Sequence, residues 1–173
     1  MTELLPILDA ETAERATALE TERPSWPCRR GCDACCRSLA EPLRLTRAEW
    51  RRCEAGLDGL ELEVRRKVER RLREAVERSS APYTCPFLER RKGACRVYAH
   101  RPIACRAYGY YRSRDGGRYC ERVKTMLEQE GEEGLVWGNH DALESRLERA
   151  HGPSLPLATW IEERGSAPGS SAR

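Results

Sequence analysis

Leu60, Val64, Val68, Leu72 and Ala75 recur every three or four residues, and charged residues fill the positions between them. Side chains at that interval share one face of a helix, so the segment predicts a solvated helix packed along a single stripe. Glu61 with Arg65, Glu63 with Lys67 and Glu69 with Arg73 are placed to pair outside that stripe at i,i+4. Ala13, Ala16 and Leu19 give a weaker helical pattern over 9–22, which Arg23-Pro24-Ser25-Trp26-Pro27 interrupts. Pro42-Leu43-Arg44-Leu45 alternates briefly, and Thr46 three residues before Glu49 forms a capping box for a helix reaching about Gly56.

Downstream of Ser79-Ser80-Ala81-Pro82 the pattern shortens. Residues 83–96 carry two short apolar runs around the polar turn Arg90-Arg91-Lys92-Gly93, which predicts a small β-hairpin. Arg101-Pro102 opens a helical turn through Cys105, and Asp115-Gly116-Gly117 is a turn before a helix over 120–130. Asn139 is placed to cap a surface helix ending near His151, and Pro156 to start a last one ending near Arg164. The expected fold is mainly α with a small β-hairpin. The expected division is a helical extension over 1–27, one compact domain over 28–164 and a frayed tail over 165–173.

Composition makes such a domain hard to hold with apolar packing alone. Hydrophobic residues are 39% of the 173 and Phe87 is the only phenylalanine, against about 45–50% in ordinary domains. The core is expected to be thin, with tyrosines filling part of it. No apolar run is long enough to span a bilayer, and the start MTELLPILDAETAERA lacks the basic and apolar regions of a secretory signal. A reducing cytoplasm is therefore the expected setting, where nine cysteines point to metal ligation before disulfides.

Their spacing carries the chemistry. Cys28, Cys32, Cys35 and Cys36 lie within nine residues, and on a continuous helix they would fall within an arc of about 100°. That arrangement, with Pro27 just before a helical turn, would put four thiols on one face and Cys28 near a helix N-terminus that favours its thiolate. Cys-x2-4-Cys pairs hold structural zinc, and iron-sulfur clusters accept similar spacings. Cys85, Cys95, Cys105 and Cys120 are too widely spaced for a compact knuckle. They would have to converge with the first set through the tertiary fold.

The ordered motifs Cys28-x3-Cys32-x2-Cys35-Cys36, Cys85-Pro86-Phe87-Leu88 and Cys95-Arg96-Val97-Tyr98-Ala99-His100-Arg101-Pro102-Ile103-Ala104-Cys105-Arg106 resemble the YkgJ-type cysteine-cluster family. The resemblance spans about residues 28–122 and implies a zinc- or iron-chelating domain. The family's cysteines fall by position on Cys28, Cys32, Cys35, Cys36, Cys85, Cys95, Cys105 and Cys120. Cys53 lies outside that pattern and reads as a small buried apolar residue.

Cys35 and Cys36 are adjacent, and one tetrahedral ion rarely accepts both without backbone strain, so one would bridge or serve a second metal. Two four-cysteine zinc sites, a binuclear site with shared sulfur, and one [4Fe-4S] cluster with spare thiols all fit the count. Zinc is the preferred expectation, with metal stabilising the domain and its removal loosening the fold. The small positive net charge of +3 would turn slightly negative with eight thiolates around two divalent cations, so the arginines read as counter-charge. Arg101 and Arg106 are expected to hydrogen-bond thiolates or position the turn beside Cys105. His100 reads as a polar cap on that turn, and His140 and His151 as unconnected to the site.

The same residues bear on other functions. Eleven Lys or Arg between Cys85 and Lys124, interleaved with tyrosines, suit a nucleic-acid surface as well as thiolate compensation. Cys28-x3-Cys32-x2-Cys35 also reproduces the triplet of radical S-adenosylmethionine enzymes, but the chain lacks the length and repeated units of their barrel. A protein-modifying reaction is implied by similarity of the cysteine region to flagellin lysine N-methylases. It would need a cofactor pocket for which no glycine-rich loop is present, so no catalytic residue is assigned. A metal ion is the expected partner, with a protein partner possible in chemical terms and no membrane.

Overall fold

The computed structural model describes residues 4–77, 81–117 and 119–166. Residues 78–80, where the long helix was expected to end, and 167–173 of the expected tail lie outside the described residues; Gly165 and Ser166 finish the last helix.

Helix α1 spans Leu4–Glu22 and ends where Pro24 cannot continue it. The short α2 is Ala34–Arg37. Strand β1, Arg44–Leu45, precedes α3 at Arg47–Asp58, and Thr46 caps α3 with the reciprocal bonds expected of the box with Glu49. Helix α4 is Leu62–Glu77, with Val68 and Leu72 buried on its apolar stripe. Strands β2, Leu88–Glu89, and β3, Ala94–Cys95, form the expected hairpin, with Leu88 opposite Cys95. A 3-10 turn at Tyr98–His100 leads to α5, Ile103–Ala107. Next come β4, Tyr111–Ser113, β5, Gly116–Gly117, and α6, Glu121–Glu130, with Cys120 at its N-cap. The chain closes with β6, Gly138–Asn139, α7, His140–His151, β7, Leu155–Pro156, and α8, Leu157–Ser166. Asn139 Oδ1 accepts from Ala142 N at 3.0 Å, the expected cap of α7.

Several expectations need correction. The segment over 28–36 is not a continuous helix: Gly31 takes a positive φ of 95°, Cys32 N turns back to Arg29 O, and only α2 is helical. The four thiols therefore do not share one helical face, and Cys28 lies in an irregular segment. The hairpin is joined by two further small sheets, antiparallel β1 with β7 and a three-stranded β5-β4-β6 in which β4 and β6 run parallel. Two-residue strands set by tertiary contact carry too little alternation to read in sequence. On α4, the Arg65 guanidinium pairs with Glu69 and Asp58 rather than with the Glu61 carboxylate. Helix α7 packs against α1 and β4 and buries His140, Leu143 and Leu147, so it is more than a surface helix.

Two hydrophobic clusters form within this mainly helical domain. The first joins Leu8 and Leu19 of α1, Trp26, Ile103 and Ala107 of α5, Tyr110, Tyr111, Val123, Met126 and Leu127 of α6, and Leu143 and Leu147 of α7. The second joins Leu45, Trp50, Cys53 and Leu57 of α3, Val68 and Leu72 of α4, Cys85, Phe87 and Leu88 of the hairpin, Val97, and Leu157 and Trp160 of α8. Tyrosines do fill the first, as the shortage of phenylalanine suggested.

Polar ties stitch the clusters together. Asp9 of α1 receives Arg52 Nη1 of α3 at 2.9 Å and Arg106 Nε of α5 at 2.9 Å. The carboxylate of Glu49, 1% exposed, accepts from Thr46 N at 2.9 Å and from Ile103 N at 2.8 Å. One α3 side chain thus closes its own cap and holds the first amide of α5, the helix that carries Cys105.

Candidate metal centre

Cys28 and Cys120 pack at the edge of the first cluster, while Cys36, Cys85 and Cys95 pack against the second. Ile103 and Ala107 turn one face of α5 into the first cluster. Cys105, two residues from each, is roughly on the opposite face. The cysteines therefore gather along the seam between two cores.

On one side of the seam, Cys28 Sγ donates to Tyr108 O at 3.2 Å, and the Tyr110 hydroxyl meets both the Cys28 carbonyl and Glu20 Oε1. Gly109 has φ +84°, and a Cβ there would sit 2.7 Å from Cys28 Sγ, so only glycine lets the chain pass this thiol. Arg122, in the first turn of α6 two residues beyond Cys120, reaches Cys32 Sγ at 3.9 Å. On the other side, Cys85 N donates to Cys36 O at 2.8 Å, and both residues pack in the second cluster. Leu88 N donates to Cys85 O, and Leu88 faces Cys95 across the hairpin, which fixes those two cysteines relative to each other. Cys35 and Cys36 stand at the meeting point, with Sγ atoms 4.0 Å apart.

The electrostatics follow from crowding thiols in a poorly solvated place. Burial, and then the charges of Cys35, Cys32 and Cys120, push the Cys28 thiol up to about 12 from the ordinary 9.0. Cys35 is raised far above the ordinary value by its hydrogen bond with Cys36 and then by burial. For Cys36 the bond with Cys35 lowers the value, but the bond with Cys85, burial and the charges of Cys85 and Cys95 outweigh it and push it up to about 12. Burial likewise raises Cys95 and, more strongly, Cys105, to which Cys36, Cys35 and Cys95 add. Without a cation, crowding and burial keep Cys28, Cys35, Cys36, Cys95 and Cys105 protonated; a soft divalent or cluster iron would reverse that preference. Among the described residues, no group of three or more His, Cys, Asp or Glu is already closed around a point that could hold a metal ion. The donors are gathered by the fold without being preassembled as a cage.

Neighbouring polar residues are engaged elsewhere. Cys53 is fully buried, as expected, and donates to His100 O at 3.3 Å. The His100 ring stands against Gly56 of α3, and Asp33 is held by Arg37 at 2.6 Å. Arg101 donates to Tyr98 O and stacks 3.7 Å from the Tyr98 ring centre, while Arg106 binds Ala99 O, Arg101 O and Asp9. Of the two roles expected for these arginines, positioning of the turn is what their hydrogen bonds do. Arg122 takes the thiol contact instead, and neither it nor Gly109 stands out in the sequence except by closeness to Cys120 and Tyr108.

Part of the basic stretch is also consumed internally. Arg96 pairs with Glu89, Arg112 with Glu132 and Lys124 with Glu121. Among the described residues no helix is long and apolar enough to cross a membrane.

Residues 27–130, more than half of the chain, match a family model described as "CxxCxxCC: Putative zinc- or iron-chelating domain". No curated protein and no solved structure matches the chain.

Proposed function

Because this chain belongs to the CxxCxxCC family, we propose that it is a metal-binding protein whose ligands are Cys28, Cys32, Cys35, Cys36, Cys85, Cys95, Cys105 and Cys120. The observation that carries this reading is the gathering of thiols from distant parts of the chain along the seam between its two cores. The donor chemistry fits. Sulfur-only surroundings select zinc or cluster iron over magnesium or calcium, which take oxygen.

Zinc is the favoured metal and structural closure the favoured role. Bound zinc would supply charge neutralisation and cross-links between distant parts of the chain, and no redox chemistry. The chain's own residues supply the rest: Tyr108 O and Gly109 fix the position of Cys28, the hairpin fixes Cys85 relative to Cys95, and Arg122 puts a cation beside Cys32. Elemental analysis and an absorbance spectrum of anaerobically purified protein test this. Colourless protein containing zinc is expected. A brown, oxygen-sensitive preparation would replace zinc with an iron-sulfur cluster, and metal-free protein would reject chelation.

A further inference from the structure

We propose that the eight cysteines divide into two four-sulfur centres, Cys28, Cys32, Cys35 and Cys120 against the first core and Cys36, Cys85, Cys95 and Cys105 against the second. This division rests on the chelation reading above and adds the number of centres and the membership of each. It departs from the order of the sequence, because Cys36 leaves its neighbours in the first motif and Cys120 joins them.

Packing supports the division first. Cys28 and Cys120 border the same cluster, to which α6 contributes Val123 directly beside the Cys120 cap. Arg122, on that first turn of α6, touches Cys32, so Cys32 lies on the same side. Cys36 is joined to Cys85 by a backbone hydrogen bond, and the hairpin register adds Cys95. Cys105 projects from the face of α5 opposite Ile103 and Ala107, away from the first cluster.

Cys35 is assigned by valence and strain. A closed zinc site takes four ligands, and Cys36, Cys85, Cys95 and Cys105 already fill the second centre. Cys35, with its Sγ 4.0 Å from that of Cys36, stands at the junction and is the one thiol left over. It therefore completes the set of Cys28, Cys32 and Cys120.

The test is a cobalt(II) titration of the demetallated full-length chain, followed by sulfur-to-cobalt charge-transfer absorbance, beside zinc content as purified. The wild type should take up two equivalents. Cys120→Ser and Cys32→Ser should each lose the first centre and retain one equivalent, as should Cys95→Ser and Cys85→Ser for the second. Combining Cys120→Ser with Cys95→Ser should abolish tetrathiolate absorbance. Uptake of one equivalent by the wild type, or loss of both equivalents in single variants whose circular dichroism matches the wild type, overturns the division and leaves chelation standing. A wild-type chain that binds no metal overturns both.

Discussion

The two cores hold similar numbers of large apolar side chains but close their polar groups differently. In the second, Trp160 Nε1 donates to Leu45 O at 2.9 Å, and the buried Glu49 carboxylate is saturated by its cap and by α5. In the first, the indole N–H groups of Trp26 and Trp137 are buried without an acceptor, even though the rings pack edge to face with centres 5.6 Å apart. A buried donor left unpaired costs about 1–3 kcal/mol. The second core is therefore the more self-sufficient, and the first depends more on what joins it across the seam. The cysteines occupy that seam.

Metal removal should widen the difference most. Structural zinc in small peptides contributes on the order of 10 kcal/mol of apparent binding energy. Stripping the metal with a chelator should lower the melting temperature markedly and accelerate hydrogen exchange in α1 and α6 before α3 and α4. Equal exchange in both regions would break the comparison, and unchanged melting would remove the metal from the account of stability.

Glu49→Ala should come next, at about 3 kcal/mol in thermal or urea melting, because it orphans the amides of Thr46 and Ile103. Since Ile103 opens α5, this change in the second core should also loosen the first. Gly109→Ala is expected to cost about 2 kcal/mol, combining a positive φ with a clash against Cys28. Gly59→Ala at the end of α3 should be close to neutral, since its φ is −78° and the nearest atom to an added Cβ is 3.7 Å away. Equal losses in the two variants, read from melting curves, would show that the Cys28 approach is not the constraint.

Trp160→Phe and Trp26→Phe sharpen the contrast directly. Both remove similar ring volume, but the first also strands Leu45 O while the second removes a donor with no partner. Trp160→Phe should be the more destabilising by about 1 kcal/mol in urea melting. The smallest effect is electrostatic. The Arg146 hydrogen bond holds the Glu11 carboxyl below its ordinary 4.5, so its stabilisation is present above pH 4.5 and fades as pH falls through the lowered value. Both side chains are 39% exposed, so the difference between wild type and Arg146→Ala at pH 7 should stay below about 1 kcal/mol.

Much of the helical frame was legible because its signals are local. Thr46 with Glu49, the stripe on α4, and Asn139 each act within one or two turns of the chain. The hairpin was legible from Arg90-Arg91-Lys92-Gly93 for the same reason. The strands pairing β1 with β7 and β4 with β6 were not, since their partners lie far away in sequence and each is only two or three residues long. The irregular path over 28–33 was missed because a thiol spacing compatible with a helix says nothing of Gly31 or of the fold's demand on Cys28. The cysteines themselves stood out by spacing and motif. Their arrangement about the seam depends on two cores whose existence no local pattern announces.

The central claim is that the cysteines along this seam hold metal through sulfur alone. X-ray absorption at the metal edge of the purified chain tests it most directly. The account predicts a first shell of four sulfur atoms at about 2.3 Å, the distance of zinc-thiolate bonds, with no nitrogen or oxygen. A first shell containing nitrogen or oxygen, or protein without bound metal, would contradict it.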